Sequence, residues 1–121
     1  MSERKKILII DDERDLCLLL KDYFIKRNFD VFISHSLTEG QNIMHSISPD
    51  ILFLDNNLPD GMSWNKAGQF SELIPGMHIV LTSAYHTNPP EMPIGCNYKI
   101  IEKPISFADL DAEFIMELMQ H

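Results

Sequence analysis

Four short, mostly apolar segments of this chain each end at residues that can do chemistry. Ile7–Ile10 runs into Asp11-Asp12, Ile51–Leu54 into Asp55, His78–Leu81 into Thr82-Ser83, and Tyr98–Ile101 into Glu102-Lys103-Pro104. Three carboxylates, a hydroxyl and an ammonium would meet if those segments lay side by side. Gathering three like charges is costly unless a cation sits among them, and oxygen ligands of this kind suit Mg²⁺ or Mn²⁺. Mg²⁺ keeps several waters and takes one or two carboxylates plus phosphate oxygens, so the set suits a phosphoryl group. Lys103 would balance an arriving oxyanion, and the hydroxyl would donate to another oxygen. Taken singly, each feature has a plainer reading. An Asp-Asp pair after a strand caps the next helix, Asp55 and Ser83 close turns, and Lys-Pro is ordinary loop chemistry. The functional reading rests on all four occurring in order at four strand ends.

The elements that must position these groups follow from patterning. Lys6–Ile10 is the form of a strand buried on both faces. Leu16, Leu19, Leu20, Tyr23 and Phe24 then recur at helical spacing, and Asn28 can close that helix in a left-handed conformation. Val31–Ile33 predicts a second strand. Ser36-Leu-Thr-Glu39 is a capping-box signature for a helix with Leu37, Met44 and Ile47 on its apolar face. Ile51–Leu54 is a third strand, followed by a polar loop with Pro59 and Gly61 and a helix from about Trp64 to Leu73 that Pro75-Gly76 ends. His78–Leu81 and Tyr98–Ile101 are the fourth and fifth strands. The last helix starts at Ser106 and places Phe107, Leu110, Phe114 and Leu118 on one face. Strands alternating with helices imply right-handed crossovers and a parallel sheet covered on both sides, a doubly wound three-layer α/β sandwich. Ligands of such sheets bind at the carboxyl ends of the strands, where the four groups fall. One stretch breaks the alternation. Pro89, Pro90 and Pro93 between Tyr85 and Gly95 remove donors and disfavour helix, so a helical turn at most, or an irregular loop, is expected there.

Composition narrows the field. With 121 residues the chain is long enough for one domain, expected over 1–121, and too short for two independent cores. Ten basic against eighteen acidic residues give a net charge of −8, which repels nucleic acid and anionic lipid alike. The longest apolar run, Leu16–Leu20, is far short of a membrane span. The basic start, Met1 to Lys6, leads into an apolar stretch that stops at Asp11, unlike a signal peptide, and a cytoplasmic location is expected. Cys17 and Cys96 lack metal-binding spacing and are expected to be reduced thiols.

Ile7-Leu-Ile-Ile-Asp-Asp-Glu13, Asp55-Asn-Asn-Leu-Pro-Asp-Gly61, Leu81-Thr-Ser-Ala-Tyr85 and Glu102-Lys-Pro104 together resemble the receiver domain of response regulators in two-component signalling, along the whole chain. The resemblance implies a flavodoxin-like fold with strand order 2-1-3-4-5. It implies that Asp55 is the nucleophile that takes a phosphoryl group from a phosphohistidine on a sensor histidine kinase or histidine phosphotransfer protein. Asp12 would ligate Mg²⁺ directly, Asp11 would act through water or as a nearby charge, and the Asn57 backbone carbonyl would be a further ligand. Lys103 would pair with a phosphoryl oxygen, and its bond to Pro104 would be cis. Ser83, followed by the small Ala84, is the favoured switch hydroxyl, with its neighbour Thr82 as second choice. Such a domain promotes only its own phosphorylation and dephosphorylation and is not an enzyme in the usual sense.

The chain departs from the family pattern in three places. Ile100 stands where receivers usually carry a rotating Tyr or Phe, and Tyr98 lies on the same strand face. Ser63, beside Trp64, occupies the place of a family glycine. The stretch from Ser83 to Lys103 is short and proline-rich, so a monomer or a non-standard dimer or partner surface is expected, with the output partner unidentified. The alternative is a degenerate receiver acting as a phosphorylation-independent interaction module. An aspartate-nucleophile phosphatase would need an acid where Asn57 stands, and a flavin phosphate would be repelled by Asp-Asp-Glu-Arg-Asp15. With no effector after the last helix, the chain reads as a stand-alone receiver or the receiver of a larger regulator or hybrid kinase.

Overall fold

The computed structural model describes residues 4–84 and 88–112; Tyr85, Phe114 and Leu118 lie outside them. In chain order the elements are β1 (Lys6–Ile10), α1 (Arg14–Ile25), β2 (Asp30–Ser34), α2 (Leu37–Ile47) and β3 (Ile51–Asp55). A small antiparallel pair, β4 (Asn57–Leu58) and β5 (Gly61–Met62), comes next. A 3₁₀ turn (Trp64–Lys66) then runs into α3 (Ala67–Leu73), followed by β6 (His78–Ser83), β7 (Asn97–Glu102) and α4 (Phe107–Leu110). The main sheet has the order β2-β1-β3-β6-β7 with every pairing parallel, which is the expected 2-1-3-4-5 once the small pair is set aside.

The continuous apolar runs of β1 and β3 follow from burial on both faces of the sheet. Ile7, Ile9, Ile51, Phe53 and Val80 pack beneath Leu20 and Phe24 of α1 and Leu110 of α4. Leu8, Ile10, Leu52, Leu54, Ile79 and Leu81 meet Leu37 and Met44 of α2, Trp64, and Phe70 of α3 on the other side. Full burial of each such side chain contributes roughly 1.5–3 kcal/mol, and this clamps the two central strands whose ends carry the acids. Gly40 of α2 lies against Ile10, and a methyl group there would overlap the Ile10 side chain.

Element ends show which local signals operate. Asn28 adopts the left-handed conformation after α1 (φ 67°). Ser36 Oγ accepts the Glu39 N–H at 3.3 Å and so caps α2, but the Ser36 N–H turns to Ser34 Oγ, so only half of the expected box is used. The full reciprocal box occurs at Ser106 and Asp109, opening α4. Residues 88–96 contain no helix, in keeping with their prolines, and only a turn at Ile94-Gly95. Tyr98 and Ile100 project from one face of the edge strand β7 and remain about two-fifths exposed. Cys17 is buried and Cys96 half-buried, both as free thiols. No helix among the described residues is long and apolar enough to cross a membrane.

Candidate functional site: an acidic pocket closed by one lysine

Strand register brings the predicted residues together. Ile10 lies level with Leu54, so Asp11 and Asp55 emerge side by side one step further on, and Asp55 is level with Thr82. Both acids are buried, whereas Asp12 faces solvent. Carboxylate oxygens of Asp11, Asp12 and Asp55 all lie within 4.8 Å of one another. A hard cation that holds oxygens at about 2.1 Å needs only small side-chain adjustments to bridge that spacing.

Lys103 closes the pocket from the end of β7. Its backbone N–H donates to Ser83 O at 2.9 Å, the bond to Pro104 is cis, and the side chain reaches across to the other two strands. The ammonium lies 3.0 Å from Asp11 Oδ2, 3.0 Å from Glu13 Oε1 and 3.4 Å from Asp55 Oδ1. Asp11 Oδ1 also accepts the Glu13 N–H at 2.9 Å. The Asp11 carbonyl receives Nδ1–H of His35 at 3.0 Å, since a carbonyl can only accept, and Cys17 Sγ–H at 3.4 Å.

One ammonium does not neutralise this many acids. Burial and then the charge of Asp11 push the Asp55 carboxyl up to about 6, against the pull of Lys103. Burial likewise raises Asp11, opposed by the Glu13 N–H and Lys103. Burial would lower Lys103, but its bonds to Asp11 and Glu13 and the charges of Asp11 and Asp55 hold it above the ordinary lysine value. Two buried acids that resist ionisation beside an exposed third form a donor set short of positive charge, which fits a divalent metal.

The backbone around Asp55 is tied down by residues that sequence reasoning passed over or noted only as departures. The Ser63 hydroxyl donates to the Asp55 carbonyl, and the Ser63 N–H to Asn56 O at 3.0 Å. Buried Asn56 donates its N–H to Thr82 O at 3.1 Å, and its Oδ1 accepts the Trp64 N–H at 3.2 Å. Trp64 Nε1–H donates to Leu54 O at 3.2 Å. A glycine at Ser63 could not supply the hydroxyl, so this departure buttresses the loop. In the sequence Asp60 stands out only as part of the Asp55–Gly61 motif. It accepts the Leu37 N–H on Oδ1, and the Thr38 N–H and hydroxyl on Oδ2, each at 2.9 Å, which fastens the loop to the start of α2. Asn57 is exposed in β4. Thr82 and Ser83 are both buried at the end of β6; by strand alternation Thr82 shares the face of Val80 and Ser83 that of Ile79 and Leu81.

Comparison with known proteins bears on the fold and the family. Residues 7–114 match the family model described as the response regulator receiver domain. A CheY-like receiver domain from Methanospirillum hungatei JF-1 superposes with a TM-score of 0.81 at 21% identity, covering 98% of this chain and 96% of the other. A second, from Methylobacillus flagellatus, gives 0.75 at 21% identity with 98% of each chain covered. A response regulator protein from Burkholderia pseudomallei with a phosphorylated aspartic acid, calcium ion and citrate gives 0.74 at 18% identity, covering 89% of this chain and 65% of that one. Over 56 residues the chain is 33% identical to a probable transcriptional regulator, ycf29, of Guillardia theta; the match covers 46% of this chain and 27% of that curated relative. The chain belongs to the response regulator receiver domain family of two-component systems.

Proposed function

We propose that the chain is a single receiver domain in which Asp55 accepts a phosphoryl group in a Mg²⁺-dependent reaction and the signal passes on as a conformational change. The observation that carries this reading is the convergence on Asp55 of the Lys103 ammonium at 3.4 Å and the carboxylates of Asp11 and Asp12, all at the carboxyl edge of the sheet. An Asp55 oxygen attacks phosphorus of a phosphohistidine. The O–P bond forms as the P–N bond breaks, and the electron pair of the P–N bond leaves with the imidazole nitrogen. Lys103 holds a phosphoryl oxygen by a charge-assisted hydrogen bond, and Ser83, or in its place Thr82, donates to another. Asp12, Asp55 and the Asn57 carbonyl would hold Mg²⁺, with Asp11 acting through water or as a nearby charge; Mn²⁺ suits the same donors. The bound metal neutralises the acids and the phosphoryl oxygens. The Burkholderia pseudomallei structure, with its phosphorylated aspartate and calcium ion, supports the same chemistry by likeness of fold.

The partners of this reading are a sensor histidine kinase or histidine phosphotransfer protein in the cytoplasm and an output protein. Neither nucleic acid nor membrane is engaged directly, given a net charge of −8. Asn57 in place of a second acid argues against turnover of phosphate esters. Exposed Ile100 and Tyr98, next to described residues 88–96 that form no helix, favour a monomer or a non-standard dimer. Intact-mass spectrometry after incubation with phosphoramidate and Mg²⁺ tests the reading. One phosphate-sized mass gain that requires Mg²⁺ and is absent in Asp55→Asn is expected. No gain in the native chain would leave a phosphorylation-independent interaction module.

A further inference from the structure

We propose that Glu13 is a resting-state latch that reserves the Lys103 ammonium, and that it gives the lysine up when a phosphoryl group arrives. The inference rests on Asp55 being the phosphoacceptor. An ammonium has three N–H donors, and here three carboxylates take them: Asp11 and Glu13 at 3.0 Å and Asp55 at 3.4 Å. Lys103 therefore has no donor free for an incoming oxygen, and one partner must leave. In the metal-free resting state Asp11 and Asp55, with side chains only 4% and 5% exposed, would each leave a charge in a dry pocket if released. Glu13 is 55% exposed and can turn its carboxylate to water at little cost.

The local backbone supports a dedicated role. Glu13 is the N-cap residue of α1, but its side chain makes no capping bond, and helix entry relies on its carbonyl, which accepts the Cys17 N–H at 3.1 Å. The Asp11 carboxylate fixes the Glu13 N–H, so the residue that shares Lys103 with Glu13 also aims it. Glu13 is thus a positioning residue that acts through Lys103 and sets how readily the lysine is surrendered.

Two measurements on the full chain test this, with Glu13→Gln against the native protein and Asp15→Asn as a control. Asp15 lies in the same helical turn and carries the same charge. The first reads the resting contact without phosphate or metal, as acylation of Lys103 by an amine reagent followed by peptide mass spectrometry. Glu13→Gln is expected to raise Lys103 labelling about threefold, the scale of one half-exposed ion pair, and Asp15→Asn to leave it unchanged. The second is the rate of Asp55 phosphorylation by phosphoramidate at saturating Mg²⁺, expected to rise by a similar factor in Glu13→Gln alone. Unchanged labelling overturns the latch. So does increased labelling with no faster phosphorylation, and so does an equal gain in Asp15→Asn, which would make the effect one of general charge. If the native chain takes up no phosphate, the reading of Asp55 fails and the latch fails with it. Melting temperature checks folding, and Glu13→Ala serves as the second variant if Glu13→Gln does not fold.

Discussion

Asp55 ends β3 and Asp60 lies in the turn of the β4–β5 pair just after it, yet their carboxyls are displaced in opposite directions. Asp55 is buried beside Asp11 and is pushed up to about 6; Asp60 is exposed, accepts two backbone N–H groups and a hydroxyl at the start of α2, and is held down at about 2. Burial beside like charge penalises the ionised form, whereas donors aimed at a solvated carboxylate reward it. The pocket is built against its own charge and the cap in favour of it, which separates a crowded acidic pocket from a joint that holds the loop in place.

The largest expected effect comes from removing the Lys103 ammonium, which pairs with Asp11 and Asp55. Lys103→Met leaves Asp11 and Asp55 uncompensated and is expected to cost about 3 kcal/mol in urea unfolding at pH 8 without metal. The cost shrinks at pH 5, where Asp55 takes up a proton. An equal cost at both pH values would break the contrast with Asp60.

Next comes Asp55 itself. Its folded pKa lies above the ordinary 3.8, so its contribution to stability is fully present below about 3.8 and is lost as pH rises through about 6. Asp55→Asn removes that loss and makes the metal-free protein more stable than the native chain at pH 8 by about 2 kcal/mol. Mg²⁺ is expected to raise the melting temperature of the native chain more than that of Asp55→Asn.

Asp60 has the opposite sign. Its folded pKa is depressed, so its contribution is present above 3.8 and is lost as pH falls from there through about 2. Asp60→Asn is expected to lower the melting temperature by about 4 °C at neutral pH and to flatten the acid limb of the stability profile. The smallest difference expected is in metal response: Asp60→Asn keeps the native rise in melting temperature with Mg²⁺, because the cap holds the loop without contributing to the pocket's charge.

Fold and site were legible in the sequence to different depths. The strands could be read because β1 and β3 are buried on both faces, which shows as unbroken apolar runs, and the acids at their ends followed directly. β6 and β7 each proved longer than their apolar runs because Thr82, Ser83, Asn97 and Glu102 continue the ladder as polar residues. The β4–β5 pair was missed, since two-residue strands have no periodicity to find. At the site, Asp11, Asp12, Asp55 and Lys103 were legible by type and place. Glu13 as a partner of Lys103 and Asp60 as a cap on α2 were not, because both contacts span distant parts of the chain and depend on how far a side chain reaches. Ser63 was visible as a departure, but its hydroxyl on the Asp55 carbonyl could only be seen in three dimensions.

Trp64 is the only tryptophan of the chain, and it is anchored to Leu54 through its indole and to Asn56 through its backbone, the residues on either side of Asp55. Tryptophan emission from this protein therefore comes from one point, an indole whose hydrogen bond depends on how that short stretch of backbone is held. The chain carries a built-in optical probe of the Asp55 loop, and a rearrangement of that backbone can be followed in real time without attaching a dye.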